Sequence, residues 1–293
     1  MASERSYKTD RMKGIIADAS QFFDVVRLVD PISMTVYVIG EDGELHAQPD
    51  GCYHVWNKTD RCENCVSARC FMEDARYSKF EFIDNDIYHV VAQPVNVDGQ
   101  KYVLEVVTAS NDNVLLSAFG NNAFVDRITT FNHKVYTDDL TGLANRRFLD
   151  ERLGILIDRS AHDGTPLAVV MMDIDDFKNI NDGLGHVAGD AALGLAGDML
   201  KEALQPGSED ILARYGGDEF IAVLQGLTEP ELEQRLQAIK PIEVNGKMTA
   251  TLSVGAYYQE KPQAQDVKSL IHRADQAMYG IKAEGKNSFA VVE

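Results

Sequence analysis

No stretch of this sequence carries the roughly 18 consecutive apolar residues that a membrane-crossing helix needs. The first residues, Met1-Ala2-Ser3-Glu4-Arg5-Ser6, lack the apolar core of a secretory leader. Both absences lead to the expectation of a cytoplasmic chain without a membrane span. Basic residues are also scarce: 28 Lys and Arg stand against 46 Asp and Glu, a formal net charge of −18. Phosphate backbones are bound through basic surfaces, so no nucleic acid polymer is expected as a partner. A small anionic ligand stays open if metal ions mediate. Cysteine is absent outside one short window, Cys52, Cys62, Cys65 and Cys70. In a reducing compartment such clustering signals metal or redox chemistry more than a disulfide framework. What is present, 293 residues of which 45% are hydrophobic, suffices for two domains that each bury a core.

Organisation follows from the pattern of strands and turns. A helical stretch from Met1 to about Phe23 precedes two strand-like runs, Val25–Val29 and Thr35–Ile39. The cysteine-bearing segment comes next. Three β-rich runs follow, Lys79–Ile83, His89–Ala92 and Tyr102–Val107, with turn chemistry at Asp84-Asn85-Asp86 and Asp98-Gly99. This element order over residues 20–110 resembles the PAS sensory fold, which implies an antiparallel sheet domain with a ligand or sensory role. Residues 111–136 read as a linking helix, with Phe124, Ile128, Phe131 and Val135 at heptad spacing. A parallel dimer stalk and a surface helix packed on its own domain both fit that short seam.

The remaining residues, 137–293, carry the chemistry. In Arg214-Tyr215-Gly216-Gly217-Asp218-Glu219-Phe220 a Gly-Gly turn joins two apolar strands and sets two acids at the mouth of a hairpin. Either the acids are solvated on an ordinary hairpin, or they hold a cation. A second apolar run, Leu167–Met172, ends at Asp173, and acids at the end of a buried strand emerge into a cleft. If the two strands are neighbours, Asp173, Asp218, Glu219 and the Ile174 carbonyl form a hard-oxygen set suited to Mg2+. The Asp173–Lys178 segment is no EF-hand, because no Glu sits at the twelfth loop position. Helices are expected at Ala188–Leu204, Glu229–Ile239 and Val267–Lys282, strands at Met248–Tyr258 and Ser288–Val292. The expected class is α+β, with a ferredoxin-like layout of one antiparallel sheet and helices on one face.

The Arg214–Phe220 and Asp173–Lys178 segments closely resemble the GGDEF family of diguanylate cyclases. So do Asp138–Arg147, Asn181–His186, Gly189-Asp190, Thr251–Gly255, and Arg273 through Tyr279, Lys282, Gly285, Lys286 and Asn287. The resemblance implies a nucleotidyl-cyclase-type domain that condenses two GTP into cyclic di-GMP as a homodimer. It implies two Mg2+ per active site on Asp173, the Ile174 carbonyl, Asp218 and Glu219, with Glu219 as ligand or base and Lys178 stabilising charge. Asn181 and Asp190 would read guanine with His186 beside them, and Lys282 and Lys286 would neutralise the triphosphate. For Asn181 a helix cap, for His186 packing of the loop, and for the two lysines solvated helix-end positions are the plain alternatives. One departure stands out. Where many members carry an inhibitory Arg-x-x-Asp, this chain has Gly207 and Asp210, so weak or absent product inhibition is expected.

The cysteine cluster, with His54 nearby, admits zinc, a regulatory disulfide or other redox site, and plain buried thiols. Three functions are therefore carried forward: a sensor-regulated diguanylate cyclase, a catalytically silent nucleotide receptor, and a zinc-dependent interaction protein.

Overall fold

The computed structural model of the protein describes residues 6–59, 61–62, 64–83, 86–110, 135–263 and 266–293. The chain divides into two compact units, Met1–Asn132 and His133–Glu293. The stalk positions Phe124, Ile128 and Phe131 lie outside the described residues. Among the described residues no helix is long and apolar enough to cross a membrane.

The first unit contains β1 (Ser6–Tyr7), a helix (Thr9–Ala19), β2 (Val25–Asp30), β3 (Thr35–Ile39) and β4 (Leu45–Gly51). A helix (Val66–Glu73) leads to β5 (Tyr77–Ile83), β6 (Asp86–Val97) and β7 (Gln100–Ser110). The sheet order is β1-β6-β7-β2-β3-β4, with β5 also on β6. Successive strand residues face opposite sides, so Val103 packs with Trp56, Val66 and Cys70 while its neighbour Leu104 packs with Met12 and Leu28. The expected antiparallel meander is present. The N-terminal helix is shorter than its sequence pattern predicts, and β1 and β4 are additions. Only Leu45 in β4 carries a large aliphatic side chain, so no apolar alternation marks that strand.

The second unit contains β8 (Ala144–Asn145), a helix (Arg146–Asp163), β9 (Leu167–Ile174), two helices (Phe177–Leu184, His186–Leu204), β10 (Ile211–Gly216) and β11 (Glu219–Gln225). A helix (Glu229–Gln237), β12 (Ile242–Val244), β13 (Met248–Ala250), β14 (Leu252–Gln259), a helix (Val267–Glu284) and β15 (Phe289–Val292) complete it. The main sheet runs β15-β14-β9-β11-β10-β8. β9 lies between β11 and β14, antiparallel to both.

All eight residues of β9 are buried. Ala168, Val170, Met172 and Ile174 join one core, which includes Ile180, Leu193, Leu200 and Leu232. Leu167, Val169 and Met171 join another, which includes Leu149, Leu153, Leu270 and Met278. Helices therefore cover both faces, not one. Burial on both sides explains why β9 reads as a continuous apolar run without polar alternation. The sheet is also mixed, since β8 pairs with β10 and β15 with β14 in parallel. The expected Met248–Tyr258 strand is two strands in two sheets. It breaks at Thr251, whose carbonyl accepts from Asp175 N–H at 2.8 Å.

Candidate active site

Strand register assembles the acids. Glu219 on β11 and Ser253 on β14 flank Asp173 at the end of β9. Asp218 precedes Glu219, and its carbonyl accepts from Ile174 N–H at 3.3 Å. The turn uses the left-handed freedom of Gly217, φ 54°, where a side chain would be strained. Arg214 holds that turn: its Nε and one terminal nitrogen donate to the Gly217 carbonyl at 3.0 and 2.8 Å. The other terminal nitrogen pairs with Asp138 at 3.2 Å. Burial pushes the Asp138 carboxyl up, but hydrogen bonds from Thr141 and the Arg214 guanidinium hold it below its usual range.

Asp173 is 7% exposed. Burial first, then the charges of Asp218 and Glu219, push its carboxyl from the ordinary 3.8 up to about 6, against the pull of Lys282. Glu219 is raised too, by burial and then by Asp218 and Asp275. Carboxylates in mutual repulsion at a half-open site are short of a cation. Lys282 supplies one, with Nζ 2.7 Å from Asp173 Oδ1. It reaches there because its helix lies directly on β14. A Cβ at Gly255 would meet Met278 N at 2.1 Å and Ala274 O at 2.3 Å, so only glycine allows that approach.

Lys286 lies past the helix end and pairs with Asp176 at 2.7 Å. Lys282 and Lys286 are thus committed to acids at the end of β9, not merely solvated at a helix terminus. Asn181 is inside the Phe177–Leu184 helix, whose N-cap is Asp176. The helix-cap role is therefore excluded. Its amide oxygen would lie 2.0 Å from a Cβ at Gly189, so Gly189 makes room for the Asn181 side chain. Asp190 follows at once and is exposed, as are His186, the first residue of that helix, and Lys178 in the first turn of the preceding one. Acids and Lys282 thus gather at the end of β9, while Asn181 and Asp190 gather where the two helices meet.

Residues 135–288 match the family described as "Diguanylate cyclase, GGDEF domain". The chain belongs to that family. Its GGDEF domain is similar to that of the diguanylate cyclase DgcP of Pseudomonas aeruginosa, 35% identical over 58% of this chain and 26% of that one. The diguanylate cyclase DosC of Escherichia coli is 38% identical over 53% of this chain and 35% of its own. The cyclic di-GMP phosphodiesterase NbdA of P. aeruginosa is 37% identical over 52% of this chain and 20% of its own. The chain thus spans about a fifth to a third of the length of these relatives. The coiled coil and GGDEF domain of DgcB from Caulobacter crescentus, solved in complex with c-di-GMP, shares the fold. Its TM-score is 0.55 at 24% identity, covering 61% of this chain and 97% of that one.

The donor chemistry of the GGDEF domain fits Mg2+: hard oxygens, with Asp173 and Glu219 paired across two strand ends and Asp218 next to Glu219. Among the described residues no three His, Cys, Asp or Glu side chains form a metal cage. Mg2+ commonly takes one or two protein carboxylates and completes its shell with water and phosphate.

The zinc expectation at the cysteines is not supported. Zinc needs three or four such ligands together, and among the described residues no group of three His, Cys, Asp or Glu could hold a metal ion; in the metal-free chain burial pushes the thiols of Cys52 and Cys62 up and that of Cys70 up to about 12. Cys62 and Cys70 pack among Trp56, Val66, Val90 and Val107. The Cys65 sulfur accepts from Ala68 N–H at 3.4 Å as a helix cap. His54 faces Asp50 at 3.3 Å. Packing and capping occupy this window.

Proposed function

We propose that the protein is a diguanylate cyclase that condenses two GTP into cyclic di-GMP, each of two chains presenting one GTP. The reading rests on one observation: Asp173, Asp218 and Glu219 converge at the end of a buried strand, with two carboxyls pushed upward and Lys282 drawn in. In the reaction the 3′-oxygen of one GTP bonds to the α-phosphorus of the other, and the bond from that phosphorus to the bridging oxygen breaks. Pyrophosphate leaves. Repetition in the opposite sense closes the ring and releases a second pyrophosphate.

Asp173, the Ile174 carbonyl, Asp218 and Glu219 would hold Mg2+, two ions per site. When bound, the metal polarises the α-phosphate and acidifies the attacking hydroxyl. Glu219, beside Asp173 across the β9–β11 pair, would serve either as a ligand or as the base that takes the hydroxyl proton. Lys178, Lys282 and Lys286 would offset charge on the transferring phosphate and the tail. Asn181 and Asp190 would read the guanine edge, an amide offering both bond types and a carboxylate accepting from N–H groups. His186 stands beside them as a further substrate contact.

Residues 1–110 would be a PAS-like sensory domain and 111–136 a linking helix, with 137–293 as the cyclase and the chain cytoplasmic. The strand order β5-β6-β7-β2-β3 supports the sensory assignment. Incubation of the full chain with GTP and Mg2+, followed by nucleotide chromatography, tests the activity. Accumulation of cyclic di-GMP is expected; GTP bound but unchanged would leave a catalytically silent receptor as the reading.

A further inference from the structure

Asp175 lies between the acids assigned to metal and the Asp176 that pairs with Lys286. It is 6% exposed and has no cationic partner at hydrogen-bond distance among the described residues. Its Oδ2 accepts from Thr251 Oγ1 at 2.6 Å and from Asn287 N–H at 3.1 Å. Its Oδ1 accepts from Ser253 Oγ at 2.6 Å. Its own N–H donates to the Thr251 carbonyl at 2.8 Å. One carboxylate thus clamps three segments: the end of β9, the start of β14 and the turn after the Val267–Glu284 helix.

That turn is unusual. Gly285, Lys286 and Asn287 have φ of 125°, 65° and 49°, so two consecutive non-glycine residues sit in a region that L residues avoid. Such a run persists only where its surroundings hold it. Gly285 and Lys286 N–H both donate to the Ile281 carbonyl, the latter at 3.0 Å; the Asn287 N–H is tied to Asp175. The turn aims Lys286 back at the end of β9, where its ammonium meets Asp176.

We propose that Asp175 is a positioning residue: it holds the Gly285–Asn287 turn in its left-handed form, and through it the Lys286 ammonium where a nucleotide's polyphosphate tail binds. The proposal rests on the substrate reading above. It separates Asp175 from Asp173 by role. Three neutral donors satisfy Asp175, so it is a structural acceptor, whereas Asp173 faces the Lys282 ammonium at 2.7 Å.

The isostere distinguishes these roles. In Asp175→Asn the amide oxygen can keep Thr251 and Asn287, while the amide nitrogen donates to the Ser253 hydroxyl, which can reverse its direction. In Asp175→Ala all three bonds are lost. Calorimetric binding of 3′-deoxy-GTP, which lacks the attacking hydroxyl and stands in for GTP, and of GMP to the full chain with Mg2+ reads the result. Asp175→Ala should weaken GTP about tenfold or more, the loss of one charge-assisted contact, and leave GMP within about threefold, since guanine contacts stay intact. Asp175→Asn should bind GTP within about threefold of wild type, and Asp175→Ala should add nothing to Lys286→Ala. If Asp175→Ala fails to fold, the Thr251→Val and Ser253→Ala pair, which keeps the carboxylate, should show the same GTP-selective loss in milder form. Equal loss of GTP and GMP, an Asn variant as impaired as Ala, or unimpaired GTP binding would overturn the proposal. Wild-type chain that binds GTP but makes no product would refute the cyclase reading and leave this test standing.

Discussion

Replacing Asp173 with Asn should make the metal-free fold more stable at neutral pH, while slowing product formation with Mg2+ by at least about a hundredfold. Asp173 has its carboxyl pushed from 3.8 up to about 6 by burial and by its acidic neighbours. A folded-state value above the unfolded one means that the protonated form is favoured on folding. The stability this carries is fully present below 3.8 and is lost as pH rises through about 6. At 1.36 kcal/mol for each pKa unit the ionised carboxylate costs at most about 3 kcal/mol, and solvent screening in a half-open site brings that to about 1–2 kcal/mol. Asn has no charge to bury. The variant should therefore match wild type near pH 4 and gain over it up to pH 7.5, about 3–6 °C in melting temperature for a domain of this size. Thermal unfolding in chelator across that pH range is the assay, and added Mg2+ should raise wild type more than the variant. A variant less stable than wild type at pH 7.5 without metal would show that Lys282 already balances the site, and the reasoning from excess negative charge would fall.

Other substitutions probe the supports. Gly255→Ala sets a methyl 2.1 Å from Met278 N, a clash with backbone that cannot rotate away, and should cost about 1–3 kcal/mol in denaturant unfolding and lower turnover by displacing Lys282. Gly189→Ala drives a Cβ to 2.0 Å from Asn181 Oδ1; binding assays with GTP and ATP should show guanine preference narrowed about tenfold, the loss of one hydrogen-bonded contact. Asp210 accepts from Gly207 N–H at 2.8 Å and from Gln225 N–H at 2.9 Å, so both oxygens serve its own backbone. Asp210→Ala should cost about 1 kcal/mol in stability with no change in product inhibition; tight cyclic di-GMP binding that this substitution abolishes would contradict it.

The acids were legible because they end an apolar run or follow a glycine turn: Asp173 closes Leu167–Met172, and Asp218 leaves Gly216-Gly217; Asn181 and Asp190 were legible only through their match to the family's motifs. The supports were harder to read. Arg214 was visible in its motif, and its bonds to Gly217 lie within the same turn, but its pairing with Asp138 joins positions 76 residues apart, which no local period marks. Gly255 sits in a strand pattern, and nothing nearby says that a helix backbone will lie on it. Asp175 looks like one acid in a row, and only the fold brings Thr251, Ser253 and Asn287 to it. Element order alone leads to a one-faced helix layout, whereas the unbroken apolar run in β9 is the mark of burial on both faces. The cysteines show the converse: Cys-x-x-Cys spacing suits zinc, but Cys62 and Cys70 pack with Trp56 and Val66, and no three candidate ligands meet among the described residues.

The most direct measurement is nucleotide chromatography of the full chain with GTP and Mg2+, with pyrophosphate assayed in parallel. The expected result is one cyclic di-GMP and two pyrophosphates for every two GTP consumed, with Glu219→Gln and Asp173→Asn each slower by at least about a hundredfold, the loss of a general base or a metal ligand. Unchanged GTP across a range of protein concentrations, or equal product from wild type and both variants, would contradict it.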